Sequence, residues 1–428
     1  MVHFPQEIFM FCLLVESQAV LWNTEVPDDD TQSNLVARWK FATVPVYSPI
    51  TLLDGTSLKV LSVVPVFTQN HSYVAVIILW DQEAWDKLLD VDLYCTSPQG
   101  HIAQVSKVGG ETDAAYKRHM VLTCEWPEDE QDECQLMTLL AMMEGERFPL
   151  GTLEACSNHD AVPKNAQFNM AACVRPPYET DIKFSAYLEL PQWLQYHWMH
   201  GVDFFVMYAF TGFPKEREVL LQIAKPWLEA GLATIVDMDY DYDLYHFPPL
   251  FQWIIQNDCL YRMRHRTTWL THIDPDEYIQ FANQTSQASI PLQLDSLVQQ
   301  QDRPISSVVF KIYSYRLPID PFALKISSDL RIEGLQPKCP KFAYKPDYVQ
   351  TVFTHWVTSS VEGYGELHAD PDVLAVNHYH ALDKIEEGPV ETFVSLSTEA
   401  TFVEQGLTER YDGEGKWMQP HFWYWDQK

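Results

Sequence analysis

The spacing of apolar and polar positions changes character near Gln167. Upstream, short runs rich in β-branched and aromatic residues stand between turn formers, at residues 44–47, 58–67, 73–80 and 91–95. Such runs predict strands, and the region reads as a small β-sandwich-like or irregular β domain. Downstream, apolar runs of strand length alternate with helical spacing. Residues 168–174, 203–210, 233–237 and 267–273 predict strands, while 187–200, 216–229 and a segment from Pro248 to about His265 predict helices. Gly201 and Gly231 stand where a left-handed residue closes a helix. Pro226 is expected to kink the second helix, and Phe251, Ile254, Ile255 and Cys259 mark one apolar face of the third. Strands alternating with helices imply βαβ units and a mostly parallel sheet flanked by helices, whose ligands sit at the carboxyl ends of the strands.

These patterns divide the chain into residues 1–34, a signal or anchor segment and linker; 35–165, a β-rich accessory domain; 166–390, the α/β domain; and 391–428, a C-terminal extension. In the first, the apolar run at residues 8–15 is shorter than the roughly 20 residues that span a bilayer. It suits the core of a signal peptide better, and membrane association stays open. The acidic stretch at residues 125–133 reads as a solvated loop.

Composition fits a globular chain, with 46% hydrophobic and 21% charged residues. The formal charge of −30, from 29 Lys+Arg against 59 Asp+Glu, changes the picture more. Without a basic patch it excludes nucleic acid as a partner and disfavours docking on anionic lipid. A polyanionic ligand would need local cations, and a bound divalent metal supplies one remedy. The 8 cysteines include no C-x-x-C pair, which argues against zinc and thioredoxin chemistry. Cys95, Cys124, Cys134 and Cys156 fall close together. They are disulfide-bonded if the chain is secretory, buried thiols otherwise. Two glycosylation tripeptides, at Asn70 and Asn283, add a little weight to a lumenal location.

The candidate chemistry lies where the predicted strand at 267–273 ends, in Asp274-Pro275-Asp276-Glu277. Two carboxylates two residues apart at a strand end can reach one small region. Hard cations such as Mg²⁺ or Mn²⁺ take one or two carboxylates plus substrate phosphates. The bland alternative is a solvated turn. A rival acidic segment follows the strand at 233–237, with Asp237, Asp239, Asp241 and Asp243. It lacks the glycine and the glutamate of an EF-hand and reads as a loop at the site rim, or as the metal's holder instead.

Residues about 167 to 385 resemble glycosyltransferase family 92. The resemblance rests on Glu189-Leu190-Pro191-Gln192-Trp193 running on to His197 and Gly201-Val202, on Asn257-Asp258-Cys259-Leu260-Tyr261-Arg262, on Asp274-Pro275-Asp276-Glu277-Tyr278, on Lys341 to Pro346 with His355, and on Asn377-His378-Tyr379. Two features depart from the family. Residues 308–316 lack its aromatic-Gly-Ser element, and His380 stands where an arginine often follows.

The resemblance implies a GT-A-like nucleotide-binding sheet and an inverting hexosyltransferase. It implies galactose as the sugar, a UDP-sugar as donor, a glycan or glycoprotein as acceptor, and the Golgi lumen or membrane, or secretion, as location. It places Asp274, Asp258, Arg262 and Glu277 at the donor, and Asp274, Asp276 and His378 on Mn²⁺ or Mg²⁺. Asp258 and Arg262 are otherwise a helix-surface ion pair, His378 an ordinary buried histidine, and His197 a core or boundary residue. For the base, Glu366 is chosen among Glu362, Glu366, Asp370 and Asp372, which lie between His355 and His378. Two other readings remain, a metal-dependent hydrolase and a catalytically inactive carbohydrate-binding relative. Intact Asp274 and Asp276 count against the second.

Overall fold

The computed structural model describes residues 41–44, 50–51, 57–67, 72–80, 91–97, 99–109, 118–126, 134–143, 145–156, 167–176, 186–238, 248–281, 289–316, 331–380 and 393–394. The apolar run at 8–15, the linker, both tripeptide asparagines, Asp239 to Asp243 and residues 127–133 lie outside them.

The first strand, β1 (Phe41–Val44), is followed by β2 (Ile50–Thr51), β3 (Ser57–Phe67), β4 (Ser72–Trp80), β5 (Asp92–Thr96), β6 (Ile102–Gln104), β7 (Ser106–Gly109), β8 (Arg118–Trp126), β9 (Cys134–Met143) and β10 (Glu146–Cys156). Two sheets form here, β2-β3-β4-β8-β7 and β10-β9-β5-β6, with antiparallel neighbours throughout. They close on a shared core that includes Val63, Val74, Val76, Leu122, Leu93, Met137, Leu139 and Leu153. A disulfide between Cys95 on β5 and Cys124 on β8 ties one sheet to the other.

The second part of the chain runs β11 (Phe168–Val174), α1 (Ala186–Met199), β12 (Phe204–Phe210), α2 (Pro214–Glu229), β13 (Ala233–Met238), α3 (Pro248–Met263), β14 (Thr267–His272), β15 (Glu277–Phe281), α4 (Ile290–Gln299), β16 (Ile305–Arg316) and β17 (Arg331–Tyr344). It closes with a 3₁₀ turn at Pro346–Tyr348, β18 (Val349–Phe353), β19 (Trp356–Ser360), β20 (Gly365–His368), β21 (Leu374–His380) and β22 (Phe393–Val394). The large sheet is ordered β1-β13-β12-β11-β14-β17-β16-β21-β15. From β1 to β14 every pairing is parallel. Beyond β14 the sheet mixes directions: β17 is antiparallel to both β14 and β16, β21 is parallel to β16, and β15 is antiparallel to β21. The expected mostly parallel sheet is therefore a mixed one. The βαβ rhythm that predicted parallel strands ends at β14, and the later strands join by connections that carry no such rhythm. The chain is mixed α/β and strand-rich. Strand β1 lies slightly upstream of its predicted place and pairs in the large sheet.

Strands β11 and β12 are buried on both faces, as central parallel strands are. Met170, Ala172 and Val174 meet α1, α2 and α4 through Trp193, Leu194, Trp227 and Leu294. Ala171 and Cys173 face the other way, toward Trp253, Ile254 and Cys259 of α3. Gly201 ends α1 at φ +96°, with the Val202 N–H returning to the His197 carbonyl at 2.9 Å. A Cβ there would stand 2.9 Å from the Ser289 Cβ, so the position requires glycine for two reasons. Among the described residues no helix is long and apolar enough to cross a membrane.

Candidate active site

The four parallel strands β11 to β14 end on one edge of the sheet, the edge where open α/β sheets bind ligands. Asp274 stands there, just past β14, and is the most heavily bonded acid of the site. Arg175, which follows β11, donates from Nε to its Oδ1 at 2.8 Å, and Lys341 of β17 donates from Nζ to its Oδ2 at 2.7 Å. Lys341 reaches this edge because β17 runs antiparallel to β14, with Leu270 opposite Tyr344 and Thr271 opposite Ala343. The same ammonium lies 3.0 Å from Glu277 Oε2. Glu277 in turn accepts the Asp274 backbone N–H at 2.8 Å, which folds the Asp-Pro-Asp-Glu turn onto itself.

Asp276 forms the second half of the site. His378 Nε2 lies 3.1 Å from its Oδ2, and His378 Nδ1 lies 3.7 Å from Glu277 Oε1. Strand register brings them together, since Glu277 on β15 is directly opposite His378 on β21. Asp276 and His378 each keep about a fifth of their side-chain surface exposed, whereas Glu277 and Lys341 are buried.

Electrostatics follow this geometry. Burial works to raise the Asp274 carboxyl, but Lys341 and Arg175 outweigh it and hold the group well below the usual carboxylate range. At Glu277 burial prevails over the Lys341 cation and the carboxyl is raised. Burial alone would depress His378, yet Asp276 and Glu277 raise it. His272 and His355 flank Lys341 and are both pushed down to about 3 by burial and that cation. In a chain of charge −30, Arg175 and Lys341 gather two cations at this edge, both engaged by the carboxylates of Asp274 and Glu277.

The structure brings Asp274, Asp276, Glu277 and His378 together, but not Asp258, Arg262 or Glu366. Asp258 is fully buried in α3. It accepts from Ser62 Oγ of β3, from the Tyr208 hydroxyl of β12 at 2.5 Å and from Arg262 Nε at 2.5 Å. The pair is no helix-surface bridge and does not line the cleft beside Asp274. It braces α3 between the upstream sheet and the large sheet. Glu366 sits on β20 with its Oε1 2.9 Å from His368 Nε2. Its register partner on β16 is Ser307, whereas the partner of His378 is Ser314. At about 3.3 Å per residue that is roughly 23 Å along the strand, too far for a base at the same site. The rival acid Asp237 is held by Arg217 through two hydrogen bonds of 2.8 and 2.7 Å.

Arg175 was missed at the sequence level, although it carried a readable signal, a cation directly after a buried strand. Lys341 was noticed only as part of the resemblance. Among the described residues no group of three or more His, Cys, Asp or Glu is placed to hold a metal. The donors nearest to such a role are Asp276 and His378, a carboxylate and an imidazole 3.1 Å apart.

The sequence model of glycosyltransferase family 92 matches residues 169–409, more than half of the chain. The chain belongs to glycosyltransferase family 92. The family match covers β11 to β22, and with them every residue of the cluster around Asp274. Individual relatives are more distant. Galactan beta-1,4-galactosyltransferase GALS1 of Arabidopsis thaliana is 30% identical over 149 residues, which are 31% of this chain and 29% of that protein. GALS2 of the same plant, also named a galactan beta-1,4-galactosyltransferase, is 29% identical over 112 residues, 25% of this chain and 20% of that protein. The match thus spans less than a third of either relative's length. Among solved structures, a 4-diphosphocytidyl-2C-methyl-D-erythritol synthase from Anaerococcus prevotii aligns over 42% of this chain and 72% of its own, at 9% identity and a TM-score of 0.22. That likeness carries no argument.

Proposed function

We propose that this family 92 member transfers a hexose, galactose by analogy with its named relatives, from a UDP-sugar to a hydroxyl of a glycan or glycoprotein. One observation carries the reading: acid and cation side chains from β11, β14, β15, β17 and β21 converge on the ligand-binding edge of the sheet. Asp276 and His378 would hold Mn²⁺ or Mg²⁺, with donor phosphates and water completing the shell. When bound, such a cation neutralises the departing diphosphate. Asp274 is already clamped by two cations. Its part is to fix Lys341 and Arg175 at the edge, where they face an incoming diphosphate. In the inverting reaction that the family suggests, the acceptor oxygen bonds to the anomeric carbon as the bond to the diphosphate breaks. The hydroxyl proton leaves to a base that Glu366 does not supply. The Cys95–Cys124 and Cys173–Cys259 disulfides suit the secretory pathway, and a Golgi location agrees with this. A hydrolase is disfavoured, because such sites gather more ligands than the pair Asp276 and His378.

Calorimetry of UDP binding, with and without Mn²⁺, tests the proposal on the wild type, Asp276→Ala and His378→Ala. Binding should require Mn²⁺ and weaken by about tenfold or more in each variant. A wild type that ignores UDP in the presence of Mn²⁺ overturns the donor reading.

A further inference from the structure

Between Asp347 and Glu362 the chain carries no Asp, Glu, Lys or Arg. In a chain with 21% charged residues and a net charge of −30, that is a long neutral interval. Burial does not account for it. The interval forms the hairpin β18–β19, and all five residues of β19 are half-buried. Tyr348 and Val361, at the hairpin's open end, are 36% and 37% exposed. Among the described residues β19 pairs with β18 alone, so its other edge meets no strand there. A solvent-facing edge strand is commonly guarded by charge, lysine above all. This one carries Thr358, Ser359 and Ser360 instead.

Both ends of the strip are aromatic. At one end the hairpin turns through Thr354 and His355. Thr354 lines the small cleft that Asp274, Arg175 and Lys341 also line, and His355 Nδ1 donates to the Pro340 carbonyl at 3.1 Å. That bond holds the tip against β17 one residue from Lys341. Trp356, half-buried, packs on Phe353 with ring centroids 4.4 Å apart, and Phe353 packs on Trp253 of α3 at 4.2 Å. At the other end Tyr348 and Tyr364 are stacked, with centroids 4.1 Å apart and planes at 12°. The turn from Val361 to Tyr364 makes this contact. The Val361 N–H bonds to the Tyr348 carbonyl at 2.9 Å and the Tyr364 N–H to the Val361 carbonyl at 3.2 Å, with Gly363 in the left-handed region at φ +89°. From Trp356 to Ser360 the strand covers roughly 13 Å. The strip therefore leads from the edge that holds Asp274 to an exposed aromatic pair.

The ligand that suits such a strip is neutral, extended and rich in hydroxyls. Sugar rings set their C–H faces on aromatic rings, and their hydroxyls pair with Ser, Thr and open backbone groups. A polyanionic chain would be repelled by the net charge. A peptide strand would add to the open edge by backbone pairing and would have no use for an aromatic pair standing beyond the strand's end. We propose that the acceptor is an extended neutral oligosaccharide, with its reacting end at the Asp274 edge and its remainder running along β19 to the Tyr348–Tyr364 stack. This assignment rests on the glycosyl-transfer reading above and adds to it the class of acceptor and the surface that holds it.

The test uses the full chain as wild type, Tyr348→Ala, Tyr364→Ala, Tyr348→Phe and Val361→Asp. A neutral galacto-disaccharide, the matching hexasaccharide, and UDP with Mn²⁺ are each titrated by calorimetry, and thermal unfolding is measured without ligand. The wild type should bind the hexasaccharide about tenfold or more tighter than the disaccharide. Each alanine variant should weaken the hexasaccharide by about fivefold and leave the disaccharide and UDP within about twofold, while Tyr348→Phe keeps the wild-type affinities. If the alanine variants fail to fold, Val361→Asp, which only adds a carboxylate to the exposed end, should weaken the hexasaccharide in the same selective way. Loss of all three ligands in parallel with a lowered Tm marks a merely structural role and overturns the proposal. A wild type that binds UDP but shows no preference for the longer saccharide sinks this assignment alone. A wild type that prefers the hexasaccharide yet ignores UDP sinks the donor reading and leaves the saccharide surface standing. A concentration-dependent dimer that Val361→Asp abolishes, with no length preference for saccharides, would make β19 an interface between copies and also overturns the proposal.

Discussion

His197 is wholly enclosed, with its Nδ1 2.9 Å from the Trp193 carbonyl oxygen and its Nε2 accepting the Ile279 N–H at 3.4 Å. Both ring nitrogens are used by a neutral imidazole carrying its proton on Nδ1, and a second proton would break the bond from Ile279. Burial accordingly pushes its pKa down to about 3. In the unfolded chain it titrates near 6.5. Between those values the unfolded state binds the extra proton, so stability rises with pH and is lost as pH falls below about 6.5. The slope from this residue is about 1.4 kcal/mol per pH unit, or about 2 kcal/mol by pH 5. Urea denaturation from pH 7.5 to 5 should give a shallower decline for His197→Gln, and identical slopes in the two proteins would refute the argument. The sequence read His197 as a core or boundary residue, because local spacing fixes which side of a helix faces inward. Glu366 could not be placed the same way. Four acids lie between His355 and His378, and which of them meets the site depends on the register of β20 against β16, a property that no local pattern carries.

Helix α3 is the element on which the site is hung. Its residues from Gln252 to Met263 are buried on every side, where sequence spacing predicted one apolar face. Three neighbours account for this. Cys259 is bridged to Cys173 of β11, Asn257 and the Tyr261 hydroxyl bond to the backbone of β18, and Asp258 receives Ser62 from the upstream sheet. All-round burial was not legible, since spacing in one helix says nothing about what lies beyond its polar side. The Asp258–Arg262 pair shows the consequence, because a spacing that reads as a surface bridge becomes a buried one once a second layer covers it. Asp258→Asn leaves Arg262 buried without its counter-charge and should cost about 3–5 kcal/mol in urea denaturation. Replacing both, as Asp258→Leu with Arg262→Met, should recover much of that loss and leave UDP affinity near the wild-type value. A double variant that is stable but has lost UDP binding would instead return Asp258 and Arg262 to the donor site.

On the scale of the whole molecule, the five-stranded upstream sheet and the large sheet share one core cluster through α3. The alternation along β3, β4 and β8 divides their residues between two partners. Val63, Val74, Val76 and Leu122 close against the four-stranded sheet, while Val64, Val66, Ala75, Ile77 and Val121 close against α3. Along β3, β4 and β8 both faces of this five-stranded sheet thus carry buried apolar residues. Strands β3 and β4 were legible from their β-branched runs, while β2, β7 and β8 were not, and two-sided burial leaves no polar face from which a partner could be inferred. Strand β1 adds a backbone link, pairing with β13 from Phe41 opposite Ile235 to Val44 opposite Met238. Arg264 adds another contact, donating to the Tyr73 hydroxyl at 3.0 Å. A fragment of residues 167–428, the part that holds the cluster around Asp274, would therefore expose the outer face of α3 and leave Asp258 without Ser62. Such a fragment should lack a cooperative unfolding transition and should bind a dye that reports exposed apolar surface, whereas the full chain should unfold in one step. A fragment that unfolds cooperatively with the full chain's midpoint would show that the upstream sheets are an appended module, and that α3 holds the site without them.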